Sequence, residues 1–274
     1  MNKPNSKVRR ASKQMALFCA RFMLLAFIVL MGAYALDYAR HSAQGGSHFK
    51  LDQIHYQGVV QLDRQALDPL IYRTVPENVL LIDLDRLRDL VESESWVKEA
   101  RIRRKLPNRL FIHIVERQPA AVAVIDSELY VVDSEGVVLD RYGPRYQSID
   151  RPIAKGLQNV ARENAREENA LRMQIYLRVL EELKPYDHSI SEIDVENPER
   201  VAVIPEDDPV HIYLGNEQFS TRYEIFVSQK DLYERLKTQY GTIESVDVTY
   251  DNKIIFHTPD EKRETITAEG GKQS

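Results

Sequence analysis

Cysteine is almost absent from this chain: its 274 residues include one, Cys19, inside an apolar N-terminal segment. A disulfide or thiolate metal site within one chain is thereby excluded, which fits an oxidising compartment. Catalytic signatures are missing too. There is no H-E-x-x-H, no P-loop, no G-x-S-x-G and no G-x-G-x-x-G. Ser95-Trp96-Val97-Lys98 has the S-x-x-K form of penicillin-binding proteins, but the companion S-D-N and K-T-G motifs are absent. The seven histidines are scattered without ligand spacing. Acid pairs such as Glu167-Glu168, Glu181-Glu182 and Asp207-Asp208 read as solvated faces or turns, and nothing singles out a facing pair in a cleft. Neither enzyme activity nor a cofactor nor a metal is expected.

Positive charge is scarce where nucleic acid would need it. Residues 1–36 carry Lys3, Lys7, Arg9, Arg10, Lys13 and Arg21 and no acid, leaving 31 basic and 42 acidic residues in the remainder. A body that acidic lacks the field for wholesale nucleic-acid binding.

Long apolar runs are confined to one place. Met15 to Leu36 is 22 residues with one charge, Arg21, and ~20 mostly apolar residues span a bilayer. The cations before it put the N-terminus in the cytoplasm, with Tyr34 and Tyr38 at the outer edge. A cleaved signal peptide is the alternative, because Ala33–Ala35 is a small-x-small site. Either way the acidic body is exported.

Six segments are expected: a disordered cytoplasmic tail (1–14), the span (15–36), a polar linker (37–48), two folded domains (49–118 and 119–258), and a disordered tail (259–274). The fold class is α+β. Residues 49–117 read strand, helix, helix, strand, strand, with two helices covering one face of a three-stranded sheet. Leu110, Ile112 and Ile114 share one face of the last strand. Beyond Pro119, "AAVAVID", "ELYVVDSEG" and "VVLDRY" read as an antiparallel meander. A helix is expected over 160–183 with Leu171, Ile175, Val179 and Leu183 as its apolar stripe, then further strands. A helix over 219–240 and a strand or hairpin over 243–257 follow. Arg101, Arg103, Arg104, Lys105 and Arg109 form a basic cluster, most of it on one strand. It is either an edge protected by charge or a docking patch for an acidic partner or anionic headgroups.

These pieces together resemble the FtsQ/DivIB family of bacterial cell division proteins. "NVLLIDLDRLRDLVESESWVKEARIRRKLPNRLFIHIVERQPAA" resembles the POTRA signature of that family, at Asn78, Leu80, Leu81, Trp96, Val97, Pro107, Leu110, Val115, Glu116, Arg117, Pro119 and Ala121. Leu129, Val132, Asp133, Gly136 and Val138 resemble the hairpin that follows it. "IYLG", ending at Gly215, and "SVDVTYDNKI" resemble later landmarks, with Thr249 where arginine is usual and Asn252 or Lys253 where glycine is usual. The resemblance implies a non-enzymatic divisome scaffold in the cytoplasmic membrane at the septum. It would recruit FtsB- and FtsL-like bitopic proteins, help control septal peptidoglycan synthesis, and meet other divisome proteins near the POTRA domain. It also implies that the last strand accepts a partner strand. Strand addition to an open edge is the physical mechanism, with Tyr250 as aromatic anchor and Ile254 and Phe256 extending the apolar contact. Val248 with these three, and Arg101, Arg103 and Arg104, are the candidate partner-binding residues. Pro119 is expected to interrupt the ladder at the seam between the two domains and to help set their angle. A POTRA-bearing exported envelope-assembly factor and a cell-wall enzyme are the competing readings.

Overall fold

The computed structural model describes residues 6–45, 47–62, 64–159, 162, 164–250, 253–258 and 263–266. The chain divides into two compact units, Met1–Glu116 and Arg117–Ser274.

The first unit opens with one long helix, α1 (Ser6–Gly45). Its stretch Ala20–Tyr38, 19 residues with mean hydropathy 1.7, is long and apolar enough to cross a membrane. At 1.5 Å per residue it is about 28 Å long, close to the ~30 Å hydrocarbon layer. The large apolar side chains along it, Phe22 to Leu36 among them, are not covered by protein. The expected disordered tail and polar linker are corrected: the helix runs through residues 6–14 and on to Gly45, while residues 1–5 lie outside the described ones. Helix-forming Ala, Arg, Lys and Gln flank the apolar run without a proline.

Strand β1 (Gln53–Gln57), helices α2 (Arg64–Thr74) and α3 (Leu84–Glu92), and strands β2 (Val97–Lys105) and β3 (Arg109–Glu116) complete the unit. The sheet order is β1-β3-β2, with β1 parallel and β2 antiparallel to β3. The expected β-α-α-β-β order is therefore present. The Asp83 carboxylate caps α3 by accepting from the N–H groups of Asp85 and Arg86 at 3.1 and 3.2 Å. Leu110, Ile112 and Ile114 are all buried against Leu67, Ile71, Leu87 and Val91 of the two helices. Pro69 lies inside α2. Trp96 and Val97 are buried at the corner between α3 and β2.

Among the described residues, the second unit is one ten-stranded mixed sheet with three α-helices. Its elements are β4 (Pro119–Ile125), β5 (Glu128–Asp133), β6 (Val138–Arg141), β7 (Ile153–Lys155), α4 (Ala165–Glu182), β8 (Ile190–Asp194), β9 (Val201–Pro205), β10 (His211–Gly215), α5 (Phe219–Ser228), α6 (Lys230–Tyr240), β11 (Ser245–Tyr250), β12 (Lys253–His257) and β13 (Arg263–Ile266). The order is β13-β12-β11-β10-β9-β8-β7-β4-β5-β6, parallel at β4/β7, β7/β8 and β10/β11. The β4-β5-β6 meander is as expected. Its first turn places Asp126 and Ser127 at φ 50° and 67°, the positive angles a two-residue hairpin loop needs. Met173, Tyr176 and Val179 of α4 and Phe219, Tyr223 and Phe226 of α5 pack with Val203, Ile212, Val246 and Phe256 of the sheet into one core.

Two helix expectations are corrected. Helix α4 starts at Ala165, and residues 160, 161 and 163 lie outside the described ones. Its buried face is Met173, Tyr176, Val179 and Leu183, whereas Leu171 is half exposed. The 219–240 segment is two helices that break at Gln229.

Helix α6 is tied to the β9–β10 connection by Asp208, which accepts from the Tyr233 hydroxyl and the Lys237 ammonium, both at 2.5 Å. Burial opposes ionisation of Asp208, but those two donors outweigh it and hold the carboxyl below its usual range. A depressed carboxylate pKa stabilises the fold above the ordinary carboxylate range, and the contribution is lost as pH falls through the folded value. Asp208→Asn should therefore lower the thermal midpoint by a few degrees at pH 7, with the gap to wild type closing as pH drops from 5 toward 3. A gap that does not change with pH would count against the ion pair.

Candidate protein-protein interface

Toward one end of the second sheet, β11 and β12 form a hairpin. Their register pairs Val246 with Phe256 and Tyr250 with Lys253. Alternation on β12 sends Ile254 and Phe256 inward, where they are 2% and 1% exposed, and Val248 on β11 is equally buried. The expectation that Val248, Ile254 and Phe256 offer side chains to a partner is thereby corrected, because all three belong to the core cluster. Tyr250 is different. It is 47% exposed, and the Lys253 ammonium lies 4.2 Å from its ring centroid, a cation–π contact that holds the ring at the surface.

Thr249 bonds locally. Its N–H and hydroxyl donate to Asp247 at 3.0 and 2.5 Å, and Arg200 approaches the same carboxylate at 3.6 Å. A further correction concerns the edge itself. Residues 259–274 were expected to be disordered, yet Arg263–Ile266 forms β13, antiparallel on β12, while 259–262 and 267–274 lie outside the described residues. The terminal strand of the described sheet is therefore β13.

The basic strand is β2, which lies at one end of the first sheet order. Its arginines divide by role. Arg104 donates to the carbonyl of Val79 at 2.9 Å and to that of Ile82, satisfying the end of a 3-10 turn. Those two bonds fix its guanidinium locally, although the residue is exposed. Arg103 lies over the Phe111 ring, 4.5 Å from the centroid. Arg101 pairs with Glu99 at 2.6 Å across exposed surface, so its charge stays accessible. Gln57, Arg101, Ile102, Arg103, Phe111 and His113 line a shallow groove there.

Two neighbouring residues at the end of β3 act on different units. Glu116, 8% exposed, accepts from three successive backbone N–H groups, those of Val60, Gln61 and Leu62, at 2.8 to 3.1 Å. Consecutive amides converging on one carboxylate form a backbone nest for an anion. Arg117 donates to Asp133 at 2.6 Å and to Glu135 at 2.7 Å. Asp133 in turn accepts from the N–H groups of Glu135 and Val137. Gly136 completes that hairpin at φ +75°, where a Cβ would lie 2.8 Å from Asn169 of α4. Nothing in the periodicity of the sequence flags Glu116 as a loop anchor. Its one visible sign is a carboxylate at an inward strand position.

The family profile of the POTRA domain, FtsQ-type, matches residues 49–117. The profile of Cell division protein FtsQ/DivIB, C-terminal, matches residues 121–249. The chain belongs to the FtsQ/DivIB family. Among curated FtsQ relatives, the Cell division protein FtsQ of Koribacter versatilis is 29% identical over 212 residues, covering 75% of this chain and 59% of that protein. The FtsQ of Syntrophotalea carbinolica is 23% identical over 85% of this chain and 82% of its own length. That of Geotalea daltonii is 28% identical over 77% and 76%. The chain thus spans less than two thirds of the first of these FtsQ proteins and more than two thirds of the other two. An FtsQ-type POTRA unit, an FtsQ-type sheet and a helix able to cross a membrane describe a membrane-anchored division protein.

Proposed function

We propose that the protein is a non-enzymatic divisome scaffold that recruits FtsB- and FtsL-like partners at the β11–β12 end of its second sheet and thereby helps control septal peptidoglycan synthesis. The observation that carries this reading is the half-exposed Tyr250, held by Lys253 in the β11–β12 hairpin of an FtsQ-type fold. A sheet edge offers main-chain hydrogen bonds to an added strand, and aromatic residues are enriched among binding hot spots. The cationic N-terminal residues support an orientation with that end of α1 in the cytoplasm and the body outside, and membership of a division-protein family supports a position at the septum. Cationic Arg101 and Arg103 on β2 make a second surface, for other divisome proteins.

Tyr250→Ala should fold normally, because the ring is half exposed, and should weaken capture of FtsB- and FtsL-like proteins by about tenfold or more, the size of a hot-spot loss. Equal capture by the folded variant would remove Tyr250 from the site. Phe256→Lys is a poor probe of the same idea. It places an unpaired charge in the core, so lost binding would report lost folding.

A further inference from the structure

A cavity of about 260 Å³ lies in the second unit between the 3-10 turn Lys184–Ser189, the β9–β10 connection and helices α5 and α6. Small-molecule clefts begin at ~300 Å³, so this one has room for a single long side chain. Four aromatic rings run through its wall in sequence. Tyr186 meets Tyr223 edge-on at 5.0 Å, Tyr223 lies 6.0 Å from Phe226, and Phe226 meets Tyr233 edge-on at 5.7 Å. Tyr223, Phe226 and Tyr233 are buried and make the floor, while Val227 is half exposed at the mouth. The charged residues of the mouth are Asp207, Asp208, Glu234, Lys230 and Lys237. Asp208 and Lys237 neutralise each other at 2.5 Å. Lys237 also lies 5.9 Å from the Tyr233 centroid, so a resident cation already uses one ring and one carboxylate of this wall. Asp207 is exposed and is paired with no cation among the described residues. Its charge bears on the interior: burial chiefly raises the Tyr223 hydroxyl above its ordinary pKa, and Asp207 adds to the rise.

We infer that this cavity is a docking pocket for one arginine side chain of a partner protein. A guanidinium matches both halves of the site, because its plane stacks on aromatic rings while its fork pairs with a carboxylate. Its methylene stem suits a wall that includes Val210 and Val227. A purely apolar side chain would cover the free carboxylates without pairing them, which costs binding energy. Once Asp208 and Lys237 are paired off, Asp207 and Glu234 outnumber Lys230, so the mouth favours a cation. The acidic balance of the body adds a longer-range field of the same sign. None of the lining residues belongs to β11 or β12, so the inference stands apart from the partner site proposed there.

The test is saturation-transfer difference NMR on the full chain in detergent micelles. Three end-capped glycine-X-glycine peptides are titrated, with X as arginine, its neutral isostere citrulline, or lysine. The arginine peptide should bind about tenfold more tightly than the citrulline peptide, the scale of a hydrogen bond to a charged group. It should also bind more tightly than the lysine peptide, which lacks the planar fork. Asp207→Asn changes an exposed side chain, and should weaken arginine binding about fivefold, the upper range for one exposed ion pair. Glu234→Gln should weaken it less. Glu224→Gln, on exposed α5 surface outside the pocket, should leave it unchanged. Equal binding of the arginine and citrulline peptides would overturn the inference, as would arginine binding that Asp207→Asn leaves intact or the absence of transfer to any peptide. A lysine peptide bound as tightly as the arginine one would point to an ammonium ligand, such as the amine of a cell-wall stem peptide, and would overturn the arginine assignment. Each of these outcomes leaves the role proposed for Tyr250 untouched.

Discussion

Glu116→Leu should destabilise the POTRA unit by about 3 kcal/mol, the cost of leaving hydrogen-bonded polar groups without their charged acceptor. The residue is buried at the end of β3 and accepts from the N–H groups of Val60, Gln61 and Leu62. Those amides belong to the connection between β1 and α2, so the carboxylate fixes the path by which α2 returns over the sheet. Leucine fills similar volume but cannot accept. Water can reach some of the freed amides, which keeps the cost below that of a fully buried network. For a unit of this size the thermal midpoint should fall by roughly 10 °C or more, read by calorimetry of the whole chain. Glu116→Gln keeps one acceptor oxygen and should lose about half as much. If the leucine variant melts within a degree of wild type, the nest contributes nothing.

The second large effect is expected at Gly156. It follows β7, has φ +94°, and sits so close to the next strand connection that a Cβ would lie 2.3 Å from the Glu196 nitrogen and 2.4 Å from its Cα. Both atoms are backbone, so no rotamer change relieves the overlap. Gly156→Ala therefore combines a backbone angle that L-residues avoid with forced separation of the β7 and β8 ends. Each contribution is about 1–3 kcal/mol, giving roughly 2–6 kcal/mol in all, at the severe end for a single substitution. The β7–β8 pairing, Ile153 with Glu192 through Lys155 with Asp194, should lose amide protection first. Wild-type stability with wild-type protection would show that the chain yields there at no cost.

How much of this was legible depended on periodicity. The POTRA elements could be placed because α3 carries its apolar residues at helical spacing and β3 alternates strictly, so pattern and tertiary burial agree. Helix α4 defeated the same method. Its inward face includes Asn169, which exchanges hydrogen bonds with the Gln158 backbone at 2.8 Å each way, and Arg172, paired with Glu168 at 3.2 Å. A count of apolar residues skips such positions and rotates the stripe toward exposed Leu171. The break at Gln229 has no glycine or proline to announce it. The terminal hairpin failed differently. Spacing shows that Ile254 and Phe256 share a face, but which face is inward depends on α5 and α6 packing above it. Strand β13 does not show in the sequence, because Arg263-Glu264-Thr265-Ile266 is a largely polar stretch that pairs along β12.

The order of the second sheet has a consequence for reach. The chain enters this sheet at β4, and β7, β8, β9, β10 and β11 lie between that strand and β12. At about 4.8 Å per strand, six steps put β12 roughly 30 Å across the sheet from the point of entry. A partner bound at β12 would thus be carried on an arm about as long as a bilayer core is thick, leaving the entry strand and its hairpin free to be engaged at the same time.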